Sequence, residues 1–477
     1  LGDLSMHLQM IQLLASGASV WPDSPIFAGE AMRYPMGMNW FNAQLASLGV
    51  PLVPGLVWTG LLATVALVVS LRQWGGSFAL AAFLLAGGLS GFALLNPGGL
   101  MGNPADEMAW KNPFLSLWIT QRGFYYALPA GLLLLASWRR RVENPSVPLF
   151  AFWIEVVIYA TMPLFHFHTF LFLSLVLATL FATDWLTKGW GAALNSPWVA
   201  LVVFAFLPAS LLVWLVTGGL AAGGSIGWSP GWMPEGNSAY FWAMNFGLSL
   251  PLAAVAVILA VKEKNRLALG FLIPAAVLFL ACCLWRFAPW PWDNIKLMLW
   301  SWLAVVPFIW ALVLKRVELI PRILLCVVLF FSGAATLTTS LLSGQGFELA
   351  RRSEWEAVRH ALDSLPRDAV FAISPDYNHP VILSGRAVVV GYDGHLWSHG
   401  YDYQKNRAML EVLLHGDPKA AGQLGADYLF LGSRELSRGK GGAIRLARYF
   451  RSVASGPGFQ ILQLPTNLEI VSEGNPE

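Results

Sequence analysis

A single aspartate stands near the start of this chain, in Gly2-Asp3-Leu4-Ser5-Met6-His7, and an acidic pair follows in Asn103-Pro104-Ala105-Asp106-Glu107-Met108. Asp3 and His7 are four residues apart and share one face of any helix that starts here. On local sequence alone Asp3 reads as a helix N-cap, with His7 facing water. The other reading is a catalytic carboxylate held just above a membrane. Carboxylates on separate loops at one face suit base-assisted or metal-assisted group transfer, one taking a proton and one holding a divalent cation against phosphate oxygens. The catalytic candidates are therefore Asp3, His7, Asp106 and Glu107, and Asp106 and Glu107 are the candidate ligands for Mg or Mn.

Cations and imidazoles are set around these acids. Arg33 precedes Tyr34-Pro35-Met36-Gly37, while Arg122, Arg286 and Lys296 sit at the ends of apolar stretches on the same side. Together they could clamp a phosphate; snorkelling anchors would be placed identically. His166 and His168 are two apart, which is not a helical metal-ligand spacing, so they read as hydrogen-bond donors or polar turn residues. Further on, the segment 391–403 gathers His395, Trp397 and His399 among Gly, Asp and Tyr. Without an identifiable third ligand for His395 and His399, stacking and hydrogen bonding to a polyhydroxylated ligand is favoured over a metal. Trp228, Trp232, Trp285, Trp290 and Trp292 mostly fit an interfacial aromatic belt, a minority of them being able to stack on sugar or isoprenoid.

The elements that must position these residues are apolar stretches of roughly twenty residues, enough to span a ~30 Å hydrocarbon core. About ten are expected, at 51–71, 76–95, 122–138, 147–164, 166–184, 197–217, 238–261, 267–285, 296–314 and 320–342. Gly-rich 76–95 and the short link 165–168 could instead form re-entrant hairpins. Arg139 to Arg141, Lys188, Lys262, Lys264, Arg266, Lys315 and Arg316 fall on one side, which the positive-inside rule makes cytoplasmic. Both ends then face outward, so one more helix is expected upstream of Leu1. The fold class is an α-helical polytopic membrane protein, with a first outward loop at 1–50 carrying an amphipathic helix, a bundle at 51–343 and a small extracytoplasmic α/β domain at 344–477. In that domain, helices are expected at 348–365, 406–414 and 443–453, and strands at 369–373, 387–390, 428–431 and 459–462.

Composition agrees. Charged residues make up 12% of the chain, about half the share in a soluble domain, and mean hydropathy is +0.58. A net charge of +3 with the basic residues in membrane-flanking clusters argues against nucleic acid as a partner. Cys282, Cys283 and Cys326 all lie inside apolar runs and offer neither a disulfide framework nor a metal spacing. A transporter would carry ionisable groups at mid-span, and Glu155 is the clear exception to spans otherwise nearly free of them.

Taken together, the chain resembles the GT-C-type glycosyltransferases, polytopic enzymes that use polyprenyl-phosphate-linked sugars as donors. The resemblance rests on the segment from Gly2 to His7 with Gly17, Pro22 and Pro25 downstream, on Tyr34-Pro35-Met36-Gly37, on Asp106-Glu107, and on a C-terminal region entered through Trp355 and Leu365-Pro366-Arg367-Asp368-Ala369-Val370. It implies a catalytic acid in the first outward loop, a position Asp3 matches, and a second acidic motif in the next, matched by Asp106 and Glu107. The chain departs from the pattern in its single acid at Asp3 and in lacking the first helix as given. Inverting transfer is implied, with the lipid phosphate on Arg122, Lys296 or Arg286 and the lipid tail in the bundle. Membrane lipids and other membrane proteins are the further partners expected, and the bacterial inner membrane is the expected location. The alternative is a non-catalytic scaffold or accessory subunit that kept this architecture.

Overall fold

The computed structural model describes residues 2–95, 109–110, 112–220, 226–344 and 346–465. Six described helices are long and apolar enough to cross a bilayer: Leu52–Leu84, Phe167–Lys188, Trp190–Val216, Arg266–Leu284, Pro291–Arg316 and Leu319–Leu342. A seventh is added if Ser238–Phe246 and Ser249–Lys262, bent by 83°, form one broken span. Among the described residues the expected ten are thus not all long and apolar enough taken singly, for local reasons. The two stretches 51–71 and 76–95 belong largely to one helical run, Leu52–Leu84, interrupted where Gly76 takes φ of +67°. The stretch 122–138 forms the helix Phe124–Glu143, whose apolar run is cut short by Arg139, Arg140 and Arg141. The stretch 147–164 is helical only over Phe152–Leu164, about 20 Å at 1.5 Å per residue.

Burial sorts these helices into layers. In Pro291–Arg316, 83% of the apolar window is buried, against 17% in Leu52–Leu84 and in Leu319–Leu342. The first is the axis of the bundle and the other two lie at its rim. Val53, Val57, Leu61, Val65 and Val69 recur every four residues and are all exposed, a continuous apolar stripe with no protein against it. Such a stripe is unfavourable in water and is accounted for by a lipid surround.

Three helices share a direction that matters for chemistry. Phe124–Glu143, Phe167–Lys188 and the helical stretch from Ile295 to Arg316 start beside Arg122, His166 and Lys296 and end in Arg140 and Arg141, in Lys188, and in Lys315 and Arg316. They pack on one another. Polar groups therefore collect at two levels about 30 Å apart, one helix length. Glu155 does not break this rule: fully buried, it accepts from Arg141 Nε at 2.9 and 3.0 Å and from Ser137 Oγ at 2.5 Å. It is a closed ion pair tied to the arginine cluster.

A two-residue ribbon pairs β1 (Gly227–Trp228) with β2 (Trp285–Arg286). The C-terminal region folds on a five-stranded sheet of order β4-β3-β5-β7-β6, with β3 (Val370–Ala372), β4 (Ala387–Val388), β5 (Tyr428–Leu431), β6 (Ser452–Gly456) and β7 (Phe459–Gln463). β3 runs parallel to both β4 and β5, while β7 is antiparallel to β5 and β6. β6 overturns part of the expected helix 443–453. Only a 3₁₀ stretch, Gly442–Arg448, forms there, because Gly458 at φ of +81° reverses the chain and pairing with β7 outweighs the local helical pattern.

The front of the chain is built into this sheet region. Helix α1 (Gly2–Ala15) lies against α2 (Gly37–Ser47) and buries Met6, Met10 and Ile11 in the same core as Leu410, Leu413 and Leu429. Gln9 Nε2 donates to Pro25 O at 2.9 Å and Arg386 O at 2.7 Å. The Val388 N–H donates to Pro25 O, and the Ala28 N–H to Val388 O, closing the outer edge of β4. Contact is so close that a Cβ on Gly391 would stand 2.8 Å from Ile26 O, and one on Gly385 2.6 Å from Gln12 Cβ.

Candidate active site

Asp3 lies in the first turn of α1, where the helix dipole favours a carboxylate, and its side chain is 41% exposed. Its Oδ1 is 3.6 Å from His395 Nε2, a residue 392 positions later (395 − 3) carried by the short helix Asp393–Ser398. Partial burial opposes ionisation, yet His395 beside it, with His7 and Lys296 further off, holds Asp3 well below the usual carboxylate range. It is therefore an anion at every physiological pH.

His7 is one turn along α1 and buried. Its Nδ1 donates to Asn39 Oδ1 at 2.7 Å, and its Nε2 accepts from Tyr34 OH at 3.4 Å. Burial, reinforced by the Arg122 charge, pushes its pKa down to about 4. Tyr34 stands edge-on between the rings of His7, at 5.5 Å, and His399, at 5.2 Å. Burial, the largest cause, lowers His399 to about 4 as well. Both imidazoles are neutral, and among the described residues Arg122 and Lys296 are the Arg and Lys side chains that act on this cluster.

Arg122 is only 6% exposed, and neither its Nε nor one of its terminal nitrogens has a hydrogen-bond partner. Its charge acts on His7 and on Tyr34. The adjoining Gly123 lets this loop press on the next: a Cβ there would be 2.4 Å from Phe165 O and 3.6 Å from His166 Cδ2. His166 Nδ1 accepts from the Thr169 N–H at 3.2 Å and contacts Thr169 Oγ1 at 2.8 Å, which itself accepts from Trp300 Nε1. That leaves His166 Nε2 as the protonated nitrogen, buried and without a partner. Unpaired buried donors are rare, and here they come from adjoining loops that open two of the three parallel helices. His168 packs 5.2 Å from His166, and Lys296, paired with Asp293 at 3.0 Å, acts on Asp3, His166, His168 and His399.

The remaining candidates fall elsewhere. Arg33 bonds Glu30 at 3.2 Å, donates to Gly400 O and stacks 4.4 Å over Tyr401, joining the front segment to the C-terminal region. Arg286 lies on β2 against Gly227. Trp397 is exposed and meets Trp290 edge to face at 4.8 Å. Asp106 and Glu107 lie outside the described residues. Asn39 and Thr169, which fix the orientations of His7 and His166, are marked by no motif, nor is Asp293. The cavity of about 430 Å³ beside His379 and Ser433 holds none of this cluster. There Glu435 is saturated by His379 and by the Ser374 and Gly432 N–H groups, which makes it a strut of the sheet.

Among the described residues, no three His, Cys, Asp or Glu side chains converge as metal ligands. The neighbours acting on Asp3 are imidazoles and a lysine, and Asp293 is already taken by Lys296. The expected ligands Asp106 and Glu107 lie outside the described residues, and the described residues alone form no divalent-cation site.

Neither a protein-family model nor a curated protein matches the sequence. Two solved structures resemble the chain over 94% of its length and 68% of theirs, each at 12% identity. One is the archaeal oligosaccharyltransferase AglB from Archaeoglobus fulgidus in complex with an inhibitory peptide and a dolichol-phosphate, with a TM-score of 0.49. The other is an oligosaccharyltransferase of the same organism tethered to an acceptor peptide containing the NVT sequon, with a TM-score of 0.42. At such identity and scores the likeness assigns no residue and no substrate.

Proposed function

We propose that this chain is a GT-C-type membrane glycosyltransferase that moves a sugar from a polyprenyl-phosphate donor to an acceptor hydroxyl on the extracytoplasmic face. The observation that carries the proposal is the set of unpaired, buried N–H groups of Arg122 and His166, within electrostatic reach of the Asp3 cluster. A phosphate supplies the acceptor oxygens these donors lack, and three helix N-termini add positive potential at the same level. The site lies at the end of the bundle opposite the arginine and lysine clusters, which supports a position away from the cytoplasm by the positive-inside rule.

In the reaction, the acceptor oxygen attacks the anomeric carbon while the bond from that carbon to the phosphate oxygen breaks. The bonding pair leaves with the polyprenyl phosphate, whose growing charge is met by Arg122, Lys296 and the His166 N–H. Asp3 orients the acceptor hydroxyl and takes its proton late, as the new bond forms. Its low basicity suits that timing, and His395, 3.6 Å from its carboxylate, fixes the orientation of Asp3. His7, neutral and fixed by Asn39, aligns Tyr34 without adding charge.

Asp3→Asn tests the reading, since it keeps size and removes the base: transfer should fall about 10²- to 10⁴-fold with the fold intact. Native mass spectrometry of the purified protein should show a polyprenyl phosphate or its sugar conjugate. A chain that carries only bulk phospholipid, and whose cellular role survives Asp3→Asn, would be a scaffold.

A further inference from the structure

We infer that the acceptor is a saccharide, seated on an aromatic rim shared by the membrane loop before Lys296 and the helix that carries His395. This rests on the transferase reading and adds to it the chemical class of the second substrate. Trp290 is 52% exposed, Trp397 43% and Tyr392 41%, large apolar rings left open in a region that is otherwise well packed. Their positions tie them to the reacting groups. Tyr392 meets the His395 ring at 5.2 Å, and His395 in turn faces Asp3. Trp397 lies between His395 and His399 in sequence, and Trp290 is three residues before Asp293, the partner of Lys296. Tyr377 extends the rim, 5.8 Å from Tyr392.

Trp290 alone could be an interfacial anchor, as exposed Trp228 and Trp285 on the β1–β2 ribbon are. Its edge-to-face contact with Trp397, which belongs to the sheet region, does not fit an anchor. Exposed Trp and Tyr present flat apolar faces with a polar tip, which suits a ring that is apolar on its faces and hydroxylated at its edge. Carboxylates stand among them: Asp393, held by Arg407, and Asp376, held by Ser374.

A peptide acceptor is disfavoured by the backbone. Extended peptides are commonly bound by adding a strand to an open sheet edge. The edge near this site, β4, is already covered by Pro25 and Ala28. The other edge, β6, is four strand spacings away, about 19 Å.

The test uses the full chain in lipid nanodiscs, fluorescently labelled and applied to one array bearing bacterial surface oligosaccharides and Asn-, Ser- and Thr-containing peptides. Retention on saccharide spots is expected, weakened tenfold or more by Trp397→Ala and by Trp290→Ala, and kept by Trp397→Tyr, which preserves a stacking face. Retention on peptides alone, on neither class, or on saccharides but untouched by both alanine variants would overturn the inference. The transferase reading fails separately: saccharide retention that depends on Trp397, in a protein with no donor lipid and no sensitivity to Asp3→Asn, would leave a saccharide-binding membrane protein and no enzyme.

Discussion

Replacing Arg122 by Met should make the empty protein more stable and less able to bind its donor. Arg122 is 6% exposed and has two nitrogens without partners, so in the absence of ligand the fold carries the desolvation cost of those groups. One unsatisfied buried donor costs about 1–3 kcal/mol, which the Tyr125 ring 5.4 Å from the Arg122 guanidinium offsets only in part. Methionine fills a similar stem volume with no polar atom, so a gain of about 1–3 kcal/mol is expected, read as a higher melting temperature by intrinsic Trp fluorescence in nanodiscs. Binding should move the other way. Losing one partner of a buried charged pair costs about 2–5 kcal/mol, which is roughly 30-fold to several thousand-fold in affinity for a polyprenyl phosphate. Saturating lipid should then raise the wild-type melting temperature, by mass action of about 2.7 kcal/mol at a hundredfold excess over Kd, and stabilise the variant by less than about 1 kcal/mol. A variant that melts lower than wild type without lipid, or that gains as much as wild type from lipid, would refute the anion-site reasoning.

Three further outcomes follow from the geometry. His7 and His399 titrate at about 4 in the fold against 6.5 unfolded, so the unfolded chain binds more protons between those values. Stability should be full above about pH 6.5 and fall as pH drops toward 4, His7 contributing on the order of 3 kcal/mol, and His7→Gln should flatten that slope in a pH series of unfolding midpoints. Gly391→Ala, which sets a Cβ 2.8 Å from Ile26 O, should cost about 1–3 kcal/mol and reduce transfer, whereas Gly346→Ala, with nothing within 4 Å, should do neither. In a background lacking Cys282, Cys283 and Cys326, a membrane-impermeant thiol reagent applied from outside should label Asp402→Cys and spare Lys264→Cys; the reverse pattern would invert the topology.

Much of the site was legible because its residue types are costly where they stand. Asp3, His7, Arg122, His166, His168 and Lys296 stood out as polar residues at the ends of apolar runs, and the structure brings them into one electrostatic neighbourhood. Arg33 and Arg286 carried the same signal, yet the first is occupied by Glu30 and Tyr401 and the second lies on the ribbon. No local pattern distinguishes an arginine with a partner from one without. Asn39 and Thr169 were invisible for a related reason, since each acts by orienting a ring that sequence spacing does not connect to it. The break between the expected spans 51–71 and 76–95 was legible and falls at Gly75 and Gly76, whereas hydropathy over a window did not register the shortness of Phe152–Leu164. The sheet was read strand by strand except for β6, where partner strand and turn decided the outcome.

The meeting of Asp3 with His395 also has a clock in it. At 5–20 residues per second, the ribosome adds the 392 positions that separate them (395 − 3) about 20–80 s after Asp3 has been made. Every helix of the bundle is synthesised in that interval. The carboxylate therefore spends its early life without the imidazole that lowers its pKa, until β4 docks on Pro25 and Ala28 and the helix Asp393–Ser398 follows. A nascent chain stalled between residues 296 and 395 holds Asp3, Arg122, His166 and Lys296 but not the imidazole of His395 that completes the cluster.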